Sequence, residues 1–216
     1  MAELNDFQEL GFFGKVTASC SHELKNVLAV VNENAGLIED LLELAAKGRT
    51  IDPARLMTAA QAVKTQILRG DAIIKNLNRF AHCADEARAD IAVDQAVELT
   101  MCIAARMAAM RGVVLTMTPP VKNLTLRTSP FALQQLMWRC IDKATASDES
   151  RGGAVNIAIE PAPEGVRIRI KGPAGKGFEP LTSRNDQKLL NLVGAEATAD
   201  PATGEMIITL TRPAAQ

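Results

Sequence analysis

The string Ser21-His22-Glu23-Leu24-Lys25-Asn26 sets an imidazole, a carboxylate, an ammonium and an amide side by side. A neutral imidazole keeps one ring nitrogen free to attack an activated phosphoryl group. An adjacent acid can orient the ring or hold its proton. An amide one helical turn further on can hydrogen-bond a phosphoryl oxygen or position a water. The same residues can equally be the solvated face of a helix, so the surroundings of His22 decide between the two. His22 stands two residues from Cys20 and two from Leu24, about 200° round a helix from each. It therefore points away from the apolar stripe those residues mark. Ala18, Asn26, Ala29 and Glu33 share its face. The small side chains of Ala18 and Ala29 leave the imidazole open to a docking surface, and Lys25 either adds a local positive charge or is simply solvated. The second histidine, His82, reads as a residue of a helix C-terminus, and no chemistry is assigned to it.

The element that must carry His22 is a long helix. No proline falls between about residues 5 and 47, and apolar or small residues recur in steps of three and four: Phe13, Val16, Cys20, Leu24, Val27, Val31, Ala35, Ile38, Leu42 and Ala45. Gly48 is a good terminator, and Asp52-Pro53 reads as an N-cap followed by proline in the first helical turn. A second stripe follows at Leu56, Ala60, Val63, Ile67, Ile74, Leu77 and Ala81. Two long helices with a short connection make an antiparallel hairpin. Stripes this long need a further partner, which predicts a homodimer with a four-helix bundle.

The texture changes after about Asp85. Helices are expected over Asp94–Arg111, from Ser129-Pro130 to Ala146, and over Ser183–Val193. Strands are expected over Val113–Thr118 and Leu124–Arg127. Further strand pairs are Ala154–Ile159 with Val166–Ile170, around a turn from Pro161 to Gly165, and Ala195–Thr198 with Met206–Thr211, around Pro201 to Gly204. The expected fold class is α+β: a helical hairpin over residues 1–85, then an α/β sandwich with a mostly antiparallel sheet over residues 86–216.

Composition narrows the functions open to such a chain. With 216 residues, 47% hydrophobic and 23% charged, it can bury a real core. Lys plus Arg number 24 against 25 Asp plus Glu, for a formal net charge of −1. Such a balance gives no electrostatic reason to favour nucleic acid or an anionic membrane. Aromatics are 3%, with no tyrosine and only Trp138, so stacking platforms for bases are not expected. None of the four cysteines (Cys20, Cys83, Cys102, Cys140) forms a C-x-x-C pair, and only two histidines are present, so no zinc pattern exists. Buried thiols in a reducing cytoplasm are the expectation. The acidic, polar start lacks the marks of a signal peptide, and no apolar run approaches the roughly 18 residues of a membrane span.

His22-Glu23-Leu24-Lys25-Asn26 resembles the H-box of the dimerisation and histidine-phosphotransfer domain of two-component sensor kinases, where a histidine is followed by an acid and, four positions after it, by Asn or Thr. The second half is similar in element order to the kinase ATP-binding domain. It departs from that domain where the nucleotide would bind. Lys143 stands where the family carries its magnesium-binding Asn, and Arg139 where a second Asn falls. An ammonium cannot ligate Mg²⁺, which takes oxygen ligands. The stretch Ile170-Lys171-Gly172-Pro173-Ala174-Gly175 replaces the adenine-reading acid and its glycine loop, with no acid until Glu179. Ser183–Leu190 has no lid glycine, and Gly175 and Gly177 alone read as a turn.

An H-box beside a dismantled nucleotide site resembles dimeric histidine phosphotransferases of the ChpT type, in which a turn like Gly172-Pro173-Ala174 follows the strand. The resemblance implies a cytoplasmic homodimer that relays a phosphoryl group between receiver-domain aspartates of response regulators. His22, Glu23 and Asn26 would be catalytic, and Ala18, Lys25 and Ala29 would meet the partner. The chain itself would need no cofactor, with Mg²⁺ expected on the receiver. A divergent ATP-dependent histidine kinase, a receiver phosphatase in which Asn26 aligns a water, and a non-catalytic adaptor are the other readings open to these residues.

Overall fold

The computed structural model describes residues 2–119, 124–146, 152–173, 181–200 and 203–211, with side chains from Glu9 onward. Two compact units emerge, Met1–Asn78 and Arg79–Gln216. The first is the hairpin of α1 (Ala2–Ala46) and α2 (Pro53–His82), whose last turn belongs to the second unit. There Phe80 is fully buried, 5.7 Å from the ring of Phe131. At the hairpin's bend Gly48 takes φ +79°, a left-handed conformation that suits glycine. Asp52 caps α2 by accepting from the Ala54 N–H at 2.9 Å, with Pro53 opening the helix.

The seam between the two helices is narrower than the stripes suggest, although it takes in Val16, Cys20 and Val27 of the first stripe. Phe12, Val16, Cys20, Val27 and Leu41 are buried on α1 and Ala59 and Gly70 on α2, with Gly70 against Leu24 and Val27. Phe13, Ala35, Leu42 and Ala45, placed on the stripe by their spacing, are exposed, as are Ala60, Ile67 and Ile74. Steps of three and four drift round a helix of 3.6 residues per turn, so one long run marks a broad apolar sector. A single neighbouring helix covers one flank of it. Left open are Leu10, Leu28, Leu37, Met57, Ile67, Leu68 and Ile74, with Leu28 at 65% and Ile67 at 57% exposure.

The second unit is a two-layer α/β sandwich. After β1 (Ala89–Ala92) come α3 (Val93–Met110), β2 (Val114–Met117), β3 (Thr125–Thr128) and α4 (Pro130–Thr145). The chain continues through β4 (Ala154–Ala162), β5 (Gly165–Lys171), α5 (Arg184–Val193), β6 (Ala195–Asp200) and β7 (Glu205–Thr211). The main sheet runs β2-β4-β5-β7-β6, antiparallel except for the β2–β4 pair. Val155, Ile157, Ile159, Val166, Ile168, Ile170, Met206, Ile208 and Leu210 alternate onto one buried face, joining the helix residues Leu133, Leu136, Met137 and Ile141 in a single core. The alternate residues, Glu160, Arg167 and Arg169 among them, form a polar outer face on which Arg169 pairs with Glu205.

Two local departures from expectation have physical causes. β1, which pairs antiparallel with β3, has only the sequence Ala-Asp-Ile-Ala, too short and too weakly alternating to announce a strand. The β4–β5 hairpin is tighter than a turn from Pro161 to Gly165, because Pro161 pairs with Val166 and Ala162 with Gly165. Gly165 is required there, since any Cβ would collide with the backbone carbonyl oxygen of Leu210 on β7. The turn from Pro201 is described only at Thr203 and Gly204, and the expected loop residues Ala174, Gly175, Gly177 and Glu179 lie outside the described residues.

Candidate functional site

α1 carries His22 on its solvent side, where His22, Ala18, Asn26, Ala29, Glu33 and Lys25 are all exposed. The helix therefore presents an imidazole on a low-relief surface, with the amide of Asn26 one turn away. Glu23 differs from these neighbours. Its side chain is only 20% exposed and lies against α2, with its Oε2 3.8 Å from Nη2 of Arg69. It is not an ordinary solvated acid. The Cys20 thiol, one turn below, is pushed up from its ordinary value by burial first and by the Glu23 charge second. Arg69 carries no signal in the sequence, because nothing in local spacing says which α2 residue faces Glu23. His82 is exposed, its Nδ1 2.7 Å from Asp85 Oδ2, away from any of these groups in sequence.

In the second unit an ion pair joins α4 to α5. Arg139 on α4 donates from Nε to Asp186 Oδ1 at 2.8 Å, and its Nη2 lies 2.6 Å from the same oxygen. Asp186 is 1% exposed and closes a capping box at the start of α5. Ser183 Oγ donates to Asp186 Oδ2 at 2.6 Å, and the Asp186 N–H donates back to Ser183 Oγ at 3.1 Å. Burial pushes the Asp186 carboxyl up. The Ser183 hydrogen bond, the Arg139 charge and the Arg139 hydrogen bond outweigh it and hold the carboxyl below its usual range. Arg139 thus fills its position as a clamp between α4 and the N-terminus of α5.

Nearby, Asp142 accepts from Arg111 Nη2 at 2.7 Å, which ties the end of α3 to α4. Lys143 follows on the last turn of α4, half-buried. Of the cysteines, Cys20 and Cys140 are buried and Cys83 half-buried, while Cys102 is exposed, contrary to the expectation of four buried thiols. Burial, chiefly, pushes the Cys140 thiol up to about 12, so it stays protonated and inert. Among the described residues, no cluster of metal-ligating side chains forms and no helix is long and apolar enough to cross a membrane.

No family model matches the sequence, and no curated protein is similar enough to count as a relative. Solved structures are similar in fold at low identity. A bacterial phosphotransferase matches with a TM-score of 0.47 and 13% identity, over 92% of this chain and 95% of that one. The ATP-binding domain of PrrB from Mycobacterium tuberculosis matches at 0.48 and 16%, over 60% of this chain and 100% of that domain. The histidine kinase AdeS of Acinetobacter baumannii matches at 0.44 and 11%, over 81% and 92%.

Proposed function

We propose that this protein is a histidine phosphotransferase of a two-component phosphorelay, passing a phosphoryl group between receiver-domain aspartates through His22 without using ATP. The observation that carries the reading is His22 itself: an exposed imidazole on a face lined by Ala18, Asn26 and Ala29, directly followed by a carboxylate drawn into the hairpin seam. The phosphoaspartate of a receiver is an activated acyl phosphate, so the acceptor needs only a lone pair in reach of phosphorus. Asn26 stands where it can hydrogen-bond the phosphoryl oxygens. Mg²⁺ belongs to the receiver in this scheme, and Arg139 and Lys143 give the second unit no oxygen ligand for it at those positions. The protein works in the cytoplasm.

It acts as a homodimer. The open apolar sector of the hairpin, including Leu28, Ile67, Leu68 and Ile74, is the surface a second hairpin would cover. Light scattering of the native chain should give twice the chain mass, and a monodisperse monomer overturns the bundle. Ile67→Glu should give monomers without unfolding the second unit.

The test of function is incubation with receiver domains phosphorylated by acetyl phosphate. The chain should take up label that is acid-labile and base-stable, as a phosphoramidate bond is. A native protein that binds receivers and never accepts label is an adaptor. The docking face has its own check. Ala18→Trp or Ala29→Trp should weaken receiver binding at least about tenfold by steric block, a change of roughly 1.4 kcal/mol. Both positions are exposed, so the fold survives. Asn26→Ala should instead leave receiver affinity unchanged and slow transfer or dephosphorylation.

A further inference from the structure

Glu23 is a carboxylate set into an apolar seam. It follows buried Cys20 by three residues and precedes buried Val27 by four, the spacing of a residue that faces the partner helix. A charge in that position is costly unless it is paired. The nearby cation is Arg69 of α2, its Nη2 3.8 Å from Glu23 Oε2 and its own side chain 57% exposed. Arg69 is brought there by its neighbour Gly70. Gly70 is buried against Leu24 and Val27, and an added Cβ would stand 3.3 Å from Val27 Cγ1. The missing side chain lets α2 approach α1 closely at the level of the histidine.

We infer that Arg69 is a positioning residue for phosphoryl transfer at His22, acting through Glu23. The inference rests on the phosphotransfer reading. Glu23 is adjacent to His22 on α1, about 100° round the helix. Unpaired, its flexible side chain would swing away from the flank of the imidazole. Held by Arg69, the carboxylate stays on the flank of the imidazole, where it can balance the charge that develops on the ring. In the transfer step the free ring nitrogen forms the N–P bond. The P–O bond to the receiver aspartate breaks, and its electron pair leaves with the aspartate carboxylate. The ring keeps the proton on its other nitrogen, and the cationic phosphoimidazole so formed is balanced by Glu23. Arg69 touches neither phosphorus nor the ring in this scheme, and its effect passes entirely through the carboxylate it holds.

The experiment compares the native full-length chain with Arg69→Ala, Glu23→Gln, the double variant and Arg69→Lys. Each is labelled from two donors: a receiver phosphorylated by acetyl phosphate, and phosphoramidate, which needs no docking. Arg69→Ala and Glu23→Gln should each slow labelling by about tenfold at unchanged receiver affinity, and the double variant should be no slower than Glu23→Gln. Arg69→Lys, which keeps the charge, should recover most of the rate. Multiplying defects in the double variant, or a native rate in Arg69→Ala, overturns the inference. A native chain labelled by phosphoramidate but not by receivers removes the relay reading alone, and the same comparison with phosphoramidate then decides the role of Arg69. A native chain labelled by neither removes both.

Discussion

Replacing His22 with alanine should abolish uptake of the acid-labile label, a fall of more than about 1000-fold against the native chain, while leaving the fold intact. The size follows from the chemistry. Transfer needs a nucleophilic lone pair, and alanine has none. Its neighbours on the exposed face do not substitute for it: Ala18 and Ala29 are inert, and Asn26 is a poor nucleophile. The fold should survive because His22 is exposed and alanine is the best helix former, so stability should change by no more than about 0.5 kcal/mol. His82→Ala is the matched control. That histidine is also exposed, but it sits beside Asp85 at the end of α2, and its removal should leave labelling at the native rate. Label retained in His22→Ala and lost in His82→Ala would move the acceptor to the other histidine. Label retained in both would place it on a different residue type.

The exposed face of α1 was legible because it depends on one helix alone. Once Cys20 and Leu24 mark a stripe, 3.6 residues per turn put His22, Ala18, Asn26 and Ala29 opposite it, and no tertiary information is needed. The same reasoning goes astray where two helices must be put in register. It set Phe13, Leu42, Ile67 and Ile74 on the seam, and these are exposed, whereas Phe12, Leu41, Ala59 and Gly70, which the stripes passed over, are buried. For the same reason the sequence leaves Glu23 open between a solvated acid and one that serves His22, since its partner Arg69 comes from the other helix. In the second unit, Ser183 and Gly194 bound α5 through local cap chemistry and are readable. Arg139 could be recognised as a departure from an oxygen ligand. Its actual role could not, because Asp186 lies on a different helix and local spacing cannot pair them.

Arg139→Ala should destabilise the second unit by roughly 2–3 kcal/mol near neutral pH, read by chemical denaturation. The substitution leaves Asp186, 1% exposed, without the guanidinium that holds it at 2.6 Å. Breaking a fully buried pair typically costs about 3–5 kcal/mol. The lower figure applies because Arg139 is 30% exposed on its own side, and Ser183 still donates to the carboxylate from both its hydroxyl and its backbone N–H. The pH dependence identifies the cause. In the native chain Asp186 titrates below the usual carboxylate range. Its ionisation therefore stabilises the fold above the unfolded-state pKa, and that contribution is lost as pH falls through the lower folded value. Without Arg139 the carboxyl loses its counter-charge while its burial remains, so it takes up a proton at higher pH. Once neutral, it no longer needs the guanidinium. The stability gap between native and variant should accordingly be widest near pH 7 and close as the solution is acidified through the Asp186 titration. A gap that stays constant with pH would mean that Arg139 stabilises α4 through the packing of its stem alone. A variant as stable as the native chain at pH 7 would remove the clamp between α4 and α5 as a stabilising feature of this fold.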